Sequence, residues 1–334
     1  MAVKVEGGRQ VRKSVLKAVI LAGGSGERFW PLSTPEKPKQ FLRVFGGESL
    51  IRQSVTRLAG LVAGADIRVV TSHELVAATR RELPEIPAAN VVGEPMRRDT
   101  GAAVALGVGL SGEGVVGFFS SDQMVANVRK FQSAIRKAVA LARRRDVIVT
   151  LGVKPDYPST AFGYIDPATG AFVEKPDERK ARAYLRKGYL WNAGMFIARA
   201  RTFRQAFAAH APQLSPLAEG RVRELREFYA TLPKVSFDYA VMEKFPGVAV
   251  VPGDFGWDDV GSFAAFDKYF PHDSRGNVRE GPCTAVESDG NICVARSARI
   301  SLLGVKNLVV VTTPDAVLVA DKSRLTEMKR LFRK

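Results

Sequence analysis

Residues 19 to 42 read Val-Ile-Leu-Ala-Gly-Gly-Ser-Gly-Glu-Arg-Phe-Trp-Pro-Leu-Ser-Thr-Pro-Glu-Lys-Pro-Lys-Gln-Phe-Leu: an apolar strand, a glycine turn, then a basic Pro-Lys-Gln segment. This order describes a loop that holds a nucleoside triphosphate. Gly23, Gly24 and Gly26 let the backbone bend close to phosphate oxygens and turn N–H donors toward them, while Arg28 and Lys39 neutralise the charge. Two common glycine loops are excluded by residue type. A dinucleotide fingerprint starting at Gly24 needs glycine where Phe29 stands, and a Walker loop needs Gly-Lys-Ser/Thr where Phe29, Trp30 and Pro31 stand.

Outward from the loop, strands and helices alternate. Apolar runs at 16–21, 67–71, 115–119 and 147–151 are separated by helical patterns near 49–61, 74–83 and 129–145. This predicts an α/β fold with a mostly parallel sheet covered on both faces and ligands outside the carboxyl ends of its strands. Strands at 162–165, 172–175 and 195–198, with helices near 177–187 and 201–210, read as an insertion closing over the site. After about residue 270 short β runs appear at 284–287, 292–295, 300–303, 308–311 and 317–320, followed by a basic terminal helix from Lys322. We therefore expect a leader over residues 1–14, a large domain over 15–270 and a small β domain over 271–334.

The chain has 334 residues, 46% apolar and 25% charged, an ordinary globular composition with room for a large core. Its longest apolar runs are too short to span a membrane and no hydrophobic export segment opens it, so a cytoplasmic location is expected. Cys283 and Cys293 have no histidine neighbours at metal-ligand spacing and read as buried small residues. The net charge of +16 suits any polyanion. Arg136, Lys137 and Arg143 to Arg145, however, share a helix with an apolar stripe of Val128, Phe131, Ile135, Val139 and Ala142, which makes them a solvated face. No basic and aromatic residues interleave as a nucleic-acid platform, so neither nucleic acid nor membrane is an expected partner.

Asp122, in Phe118-Phe119-Ser120-Ser121-Asp122-Gln123, follows an apolar strand and is a metal candidate, although an aspartate there also serves as a turn cap. Phe255-Gly256-Trp257-Asp258-Asp259-Val260-Gly261 supplies a second acidic cluster. Two such carboxylates hold one Mg²⁺ when water and phosphate oxygens complete an octahedron. His73, His210 and His272 are isolated, and no histidine chemistry is expected.

The run G-G-S-G-x-R-x-x-P-L-S…P-K-Q-F-L resembles the signature of sugar-1-phosphate nucleotidylyltransferases, and among them the mannose-1-phosphate guanylyltransferases. The resemblance implies a Rossmann-like nucleotidyltransferase domain, a C-terminal left-handed β-helix-like domain that packs in a homodimer, and a metal on Asp122 and Asp259. It also implies a nucleotide site of Leu21, Ala22, Gly23, Gly24, Ser25, Gly26, Glu94, Arg98, Asp99 and Thr100. In Glu94-Pro95-Met96-Arg97-Arg98-Asp99-Thr100-Gly101, the Glu94 carboxylate suits the two adjacent donors on guanine's pairing edge. Asp99 and Thr100 equally suit a helix cap, and the family's pattern has Asn and Ala where Asp99 and Gly101 stand. Three further segments resemble the family's sugar side, and Phe237 to Lys244 fits I-D-Y-A-V-M-E-K. They imply a sugar-phosphate site of Gly163, Tyr164, Glu174, Lys175, Asn192 and Asp238.

The implied reaction joins GTP to mannose 1-phosphate, releasing pyrophosphate. Its nucleophile is already anionic near neutral pH, since the second pKa of a phosphate monoester is about 6, so no protein base is required. Arg28, Lys39 and Lys175 are the expected catalytic cations, Arg28 and Lys39 acting on the leaving group and Lys175 on the acceptor phosphate.

Overall fold

Strand β1 (Leu16–Ala22) sends Leu16, Ala18, Ile20 and Ala22 into one apolar cluster and Val19 into another. That two-sided burial marks the middle of a covered sheet. The computed structural model describes residues 15–24 and 26–332, so the expected leader and Ser25 of the glycine turn lie outside the described residues.

The following strands are β2 (Ile67–Ser72), β3 (Val91–Glu94), β4 (Val115–Ser120), β5 (Met124–Val125), β6 (Ile148–Val153), β7 (Tyr164–Ile165), β8 (Phe172–Val173), β9 (Leu190–Arg199) and β10 (Val248–Pro252). All but β5 join β1 in a nine-stranded sheet of main order β10-β6-β9-β4-β1-β2-β3, with β7 and β8 attached at β9. The pairs β1·β2, β1·β4, β2·β3 and β6·β10 are parallel. From β1 the chain moves outward to β3 and returns on the other side of β1 as β4. The order reverses there, so the loops leaving β1 and β4 part and open a crevice at their carboxyl ends.

Strand β9 departs from expectation. It lies inside the sheet, antiparallel to both β4 and β6, rather than in an insertion over the site. Its Ala193, Met195 and Ile197 enter one cluster and Phe196 and Ala198 the other, so burial on both faces draws it inward. Only the β7·β8 hairpin stays at its start, pairing Tyr164 with Trp191.

Helix Asp99–Ser111 is buried from Gly101 through Val108, apolar on every side and covered by both sheet and neighbouring helices. Helix Val128–Arg144 turns Phe131, Ile135, Ala138 and Ala142 inward, with its Arg and Lys side chains exposed. Val128, expected in the apolar stripe, is exposed at the first residue of the helix.

After strand β11 (Trp257–Asp258) and helix Ala264–Tyr269 the architecture changes to a β-helix-like coil. Here β12 (Val278–Glu280), β14 (Ile292–Ala295) and β16 (Leu308–Thr312) stack in parallel, and β13 (Cys283–Val286) and β15 (Ile300–Leu303) form a second parallel ladder. Strand β17 (Val317–Asp321) closes the first ladder antiparallel to β16. Buried asparagines set the pitch. Asn277 Oδ1 accepts from the backbone and side-chain N–H groups of Asn291 at 2.9 Å each, and Asn291 Oδ1 accepts from Leu308 N–H at 2.9 Å.

The expected terminal helix is a 3-10 run, Lys322–Phe332, whose Leu325 and Met328 join Phe29, Phe45, Phe263 and Val294 in a third cluster. The coil is thereby packed directly beneath the glycine-turn segment. No helix among the described residues is long and apolar enough to cross a membrane.

Candidate active site

The carboxyl end of β1 is fixed from two sides: Ala22 O accepts from Gln40 Nε2 at 2.8 Å and from Thr71 Oγ1 at 3.0 Å. Gly26 adopts φ 66° and ψ 16°, and a Cβ there would overlap the backbone of Lys39. Only glycine closes this turn. Phe29 is fully buried and anchors the segment, leaving its neighbour Arg28 exposed at the crevice.

Asp122 lies just past β4, with Oδ1 accepting from Ser120 Oγ at 2.7 Å and Oδ2 paired with Lys39 Nζ at 3.0 Å. Strand β11 brings in the second acidic cluster through a two-residue antiparallel ladder with β5, Trp257 opposite Val125 and Asp258 opposite Met124. Lys39 Nζ consequently also donates to the carbonyl oxygen of Asp259 at 2.6 Å. Burial pushes the Asp122 carboxyl up, but the charge and hydrogen bond of Lys39, the Ser120 hydroxyl and Arg28 together hold it below the usual range. Asp259 is raised, first by burial and then by the charge of Asp122, against the opposing pull of Lys39.

Asp258 is taken up by its own turn, with Oδ1 accepting from Val260 N–H and Oδ2 from Lys268 Nζ, both at 2.6 Å. Asp259, whose Oδ2 stands beside Gly261 together with Arg28 Nη1, is the carboxylate left facing the crevice. Val260, β-branched and at φ 48°, carries backbone strain at this turn. Among the described residues no group of three or more His, Cys, Asp or Glu converges. Two hard oxygen donors on neighbouring loops beside the glycine turn fit a divalent cation that takes its remaining ligands from water and phosphate.

Lys39 is buried, 6% exposed, and without ligand its ammonium is engaged by the Asp122 carboxylate and the Asp259 carbonyl oxygen. A lysine between two carboxylate-bearing loops is held there by charge.

At the opposite wall, Glu94 ends β3 with a carboxylate oxygen 3.6 Å from where a Cβ on Gly23 would stand. Burial raises it to about 7, the Tyr229 hydroxyl (3.2 Å from Oε1) opposing and Asp99 adding. Arg98 is directed elsewhere, donating to Tyr229 O at 2.7 Å and Ala230 O at 3.0 Å. Asp99 accepts from Thr100 N–H at 2.7 Å, and Thr100 Oγ1 accepts from Phe237 N–H at 3.0 Å. Asp99 sits at φ 64°, and an alanine at 101 would bring its Cβ to 2.6 Å from Val235 O.

Glu174, Lys175, Asn192 and Asp238 converge at a further wall. Lys175 Nζ donates to Glu174 Oε1 at 2.6 Å, and Asn192 Nδ2 to Asp238 Oδ1 at 2.9 Å. Thr150 Oγ1 and Gly194 N–H fix Asn192 Oδ1 at 2.7 and 3.0 Å. Asp238 is raised to about 7 by burial and then by the charge of Glu174. Gly163 joins through its carbonyl, which accepts from Asn192 N–H at 2.9 Å. Tyr164 does not: it is fully buried with its hydroxyl on Ser159 O at 3.0 Å.

Residues the sequence reading missed tie these walls together. Phe162 packs edge-on against Trp191 at 5.0 Å and Trp257 at 5.2 Å, and Tyr157 against Trp191 at 4.9 Å. The cluster joins the Asn192 strand to the Asp259 turn. Glu243, which accepts from Glu174 N–H at 2.8 Å, and Tyr229 were also missed. Phe162, Trp191, Trp257 and Glu243 lie within the recognised segments, which was the available signal, whereas Tyr157 and Tyr229 lie outside them.

Residues 17–275 match the family model described as nucleotidyl transferase, and residues 281–334 match the MannoseP isomerase/GMP-like beta-helix domain. An Escherichia coli mannose-1-phosphate guanylyltransferase is 34% identical, covering 95% of this chain and 73% of the relative. The alginate biosynthesis protein AlgA of Pseudomonas syringae pv. tomato is 32% identical, covering 94% and 70%. A crystal structure from Thermus thermophilus, described as that of a mannose-1-phosphate geranyltransferase, superposes with a TM-score of 0.87 at 35% identity, covering 95% of this chain and 98% of that one.

Proposed function

We propose a function from one premise: the chain belongs to the nucleotidyl transferase family, among the mannose-1-phosphate guanylyltransferases. It transfers guanylyl from GTP to mannose 1-phosphate, forming GDP-mannose and pyrophosphate. The observation that carries the reading is the meeting of Lys39, Asp122 and Asp259 at the reversal of strand order, next to the glycine turn.

In the reaction, a phosphate oxygen of mannose 1-phosphate attacks the α-phosphorus of GTP in line, a P–O bond forms, and the bond to pyrophosphate breaks. The protein supplies alignment and positive charge. The N–H groups of the glycine turn cradle the triphosphate, and Arg28 draws charge from the departing pyrophosphate. Lys175 holds the acceptor phosphate, with Asn192 and Asp238 bordering the sugar. Ionised Glu94 accepts from guanine N1–H and the exocyclic amine. Asp122 and Asp259, spaced by Lys39, would hold Mg²⁺, which screens the phosphate charges when bound.

We further take residues 15–270 as the transferase domain and 271–334 as the coil, a division supported by the two family-model ranges. A homodimer through the coil is supported by Leu303, 72% exposed, and by Val317 and Val319, each 63% exposed on edge strand β17. We also propose a cytoplasmic location. Pyrophosphate release measured over four nucleoside triphosphates and several sugar 1-phosphates tests the activity. Absence of release with GTP and mannose 1-phosphate in the presence of Mg²⁺ would overturn it.

A further inference from the structure

We infer that Arg57 is a positioning residue for the metal-binding aspartate, its buried guanidinium holding both ends of the turn that presents Asp122. Arg57 follows helix Leu50–Thr56 and is 4% exposed. Its Nη1 donates to Gln123 O at 2.8 Å, and its Nη2 donates to Ser120 O at 3.0 Å and to Ser54 Oγ at 2.7 Å. The Phe131 ring lies under the guanidinium, 5.6 Å to its centroid. The two carbonyls stand on either side of Asp122, so one planar fork fixes the turn at two points.

The hydrogen bonds of this cation go to carbonyls and a hydroxyl, not to a carboxylate. Burying a charge on such partners is costly, and filling the space alone would need only an apolar side chain. What the charge and the fork achieve together is a rigid turn. Since Ser120 also holds Asp122 Oδ1, a shift of the backbone at Ser120 displaces the carboxylate itself. Lysine's three donors radiate from one nitrogen, so it lacks the planar fork whose separate nitrogens reach Ser120 O and Gln123 O in a fixed geometry.

The inference rests on Asp122 being a metal carboxylate, and the test separates the two. Mn²⁺ binding to the full chain with GTP present and no sugar phosphate is followed by water proton relaxation, and GTP binding without metal by calorimetry. Loss of an outer hydrogen-bonding partner of a metal ligand typically weakens metal binding by about 10- to 100-fold. Arg57→Lys is therefore expected to weaken Mn²⁺ binding about tenfold while metal-free GTP binding stays unchanged. Asp122→Asn is run alongside. Weakening by Asp122→Asn but not by a folded Arg57→Lys overturns the positioning role, and so does equal weakening of metal and GTP binding. No effect from Asp122→Asn overturns the underlying reading instead. If Arg57→Lys does not fold, Ser54→Ala, which removes the hydroxyl that holds Nη2 and leaves it Ser120 O alone, decides: Mn²⁺ binding weaker by about threefold with metal-free GTP binding unchanged supports the role, and unchanged Mn²⁺ binding refutes it.

Discussion

Lys39 and Asp122, 83 residues apart, meet in an ion pair of 3.0 Å, and the same ammonium reaches the carbonyl oxygen of Asp259 at 2.6 Å. One buried cation thus fixes the distance between two acidic loops that would otherwise repel each other. Replacing Lys39 with methionine keeps the volume and removes the charge. We expect kcat/KM for Mg²⁺-dependent pyrophosphate release to fall about a hundredfold or more. Arg28→Met, at an exposed position that makes no hydrogen bond to Lys39, is expected to fold normally and to lose mainly kcat in the same assay.

Glu94 makes guanine recognition dependent on pH. Its carboxyl titrates near 7 because it is buried, so below that pH it is protonated and one of its two acceptor positions becomes a donor. The preference for GTP over ITP, which lacks the exocyclic amine, is expected to grow from pH 6 to pH 8 and to vanish in Glu94→Gln. A flat wild-type profile would contradict the assignment.

The same group sets a sign for stability. A carboxyl raised from 4.5 to about 7 by burial favours folding most below its unfolded pKa, and that contribution is lost as pH rises through about 7. The loss is roughly 3 kcal/mol for a shift of this size. Urea unfolding of the ligand-free chain at pH 5 and pH 8 should therefore show a smaller difference for Glu94→Gln than for the wild type.

Lys175 reports on the acceptor side. Burial lowers its pKa, but its hydrogen bond to Glu174 and the charges of Glu174 and Asp238 raise it overall, so it is cationic throughout the working range. Lys175→Met is expected to raise KM for mannose 1-phosphate about tenfold or more while leaving KM for GTP nearly unchanged. An equal rise in both would place the lysine in the nucleotide site.

Asn291 tests the coil. It is fully buried, and truncation to alanine strands the Leu308 N–H, takes the side-chain donor from Val305 O and leaves Asn277 Oδ1 only the backbone N–H of residue 291. A loss of about 2–3 kcal/mol is expected, read as a lower thermal midpoint. Because the coil shares an apolar cluster with Phe29 and Phe45, the transition should remain single rather than split in two.

The glycine turn, the strands at β1, β2, β4 and β6 and the acidic motif at 255–261 were legible in the residues themselves. Their signals are local: a short apolar run, a glycine where φ must be positive, a carboxylate after an apolar run. The short strands of the coil were legible for the same reason. Which of two adjacent aspartates faces the crevice was carried by the family's motif, and the structure supplies the cause, since Asp258 is consumed by Val260 and Lys268.

By itself the sequence determined a glycine turn after the first strand of an α/β sheet and the residue types around it. Tertiary structure alone decided that β9 runs antiparallel inside the sheet, that Lys39 is spent between two loops, that Tyr164 faces inward and that Arg57 braces the Asp122 turn. The physical reason is separation along the chain. A two-residue ladder between β5 and β11 joins segments more than a hundred residues apart, and its partners are selected by which faces can be buried together, not by any pattern within either segment.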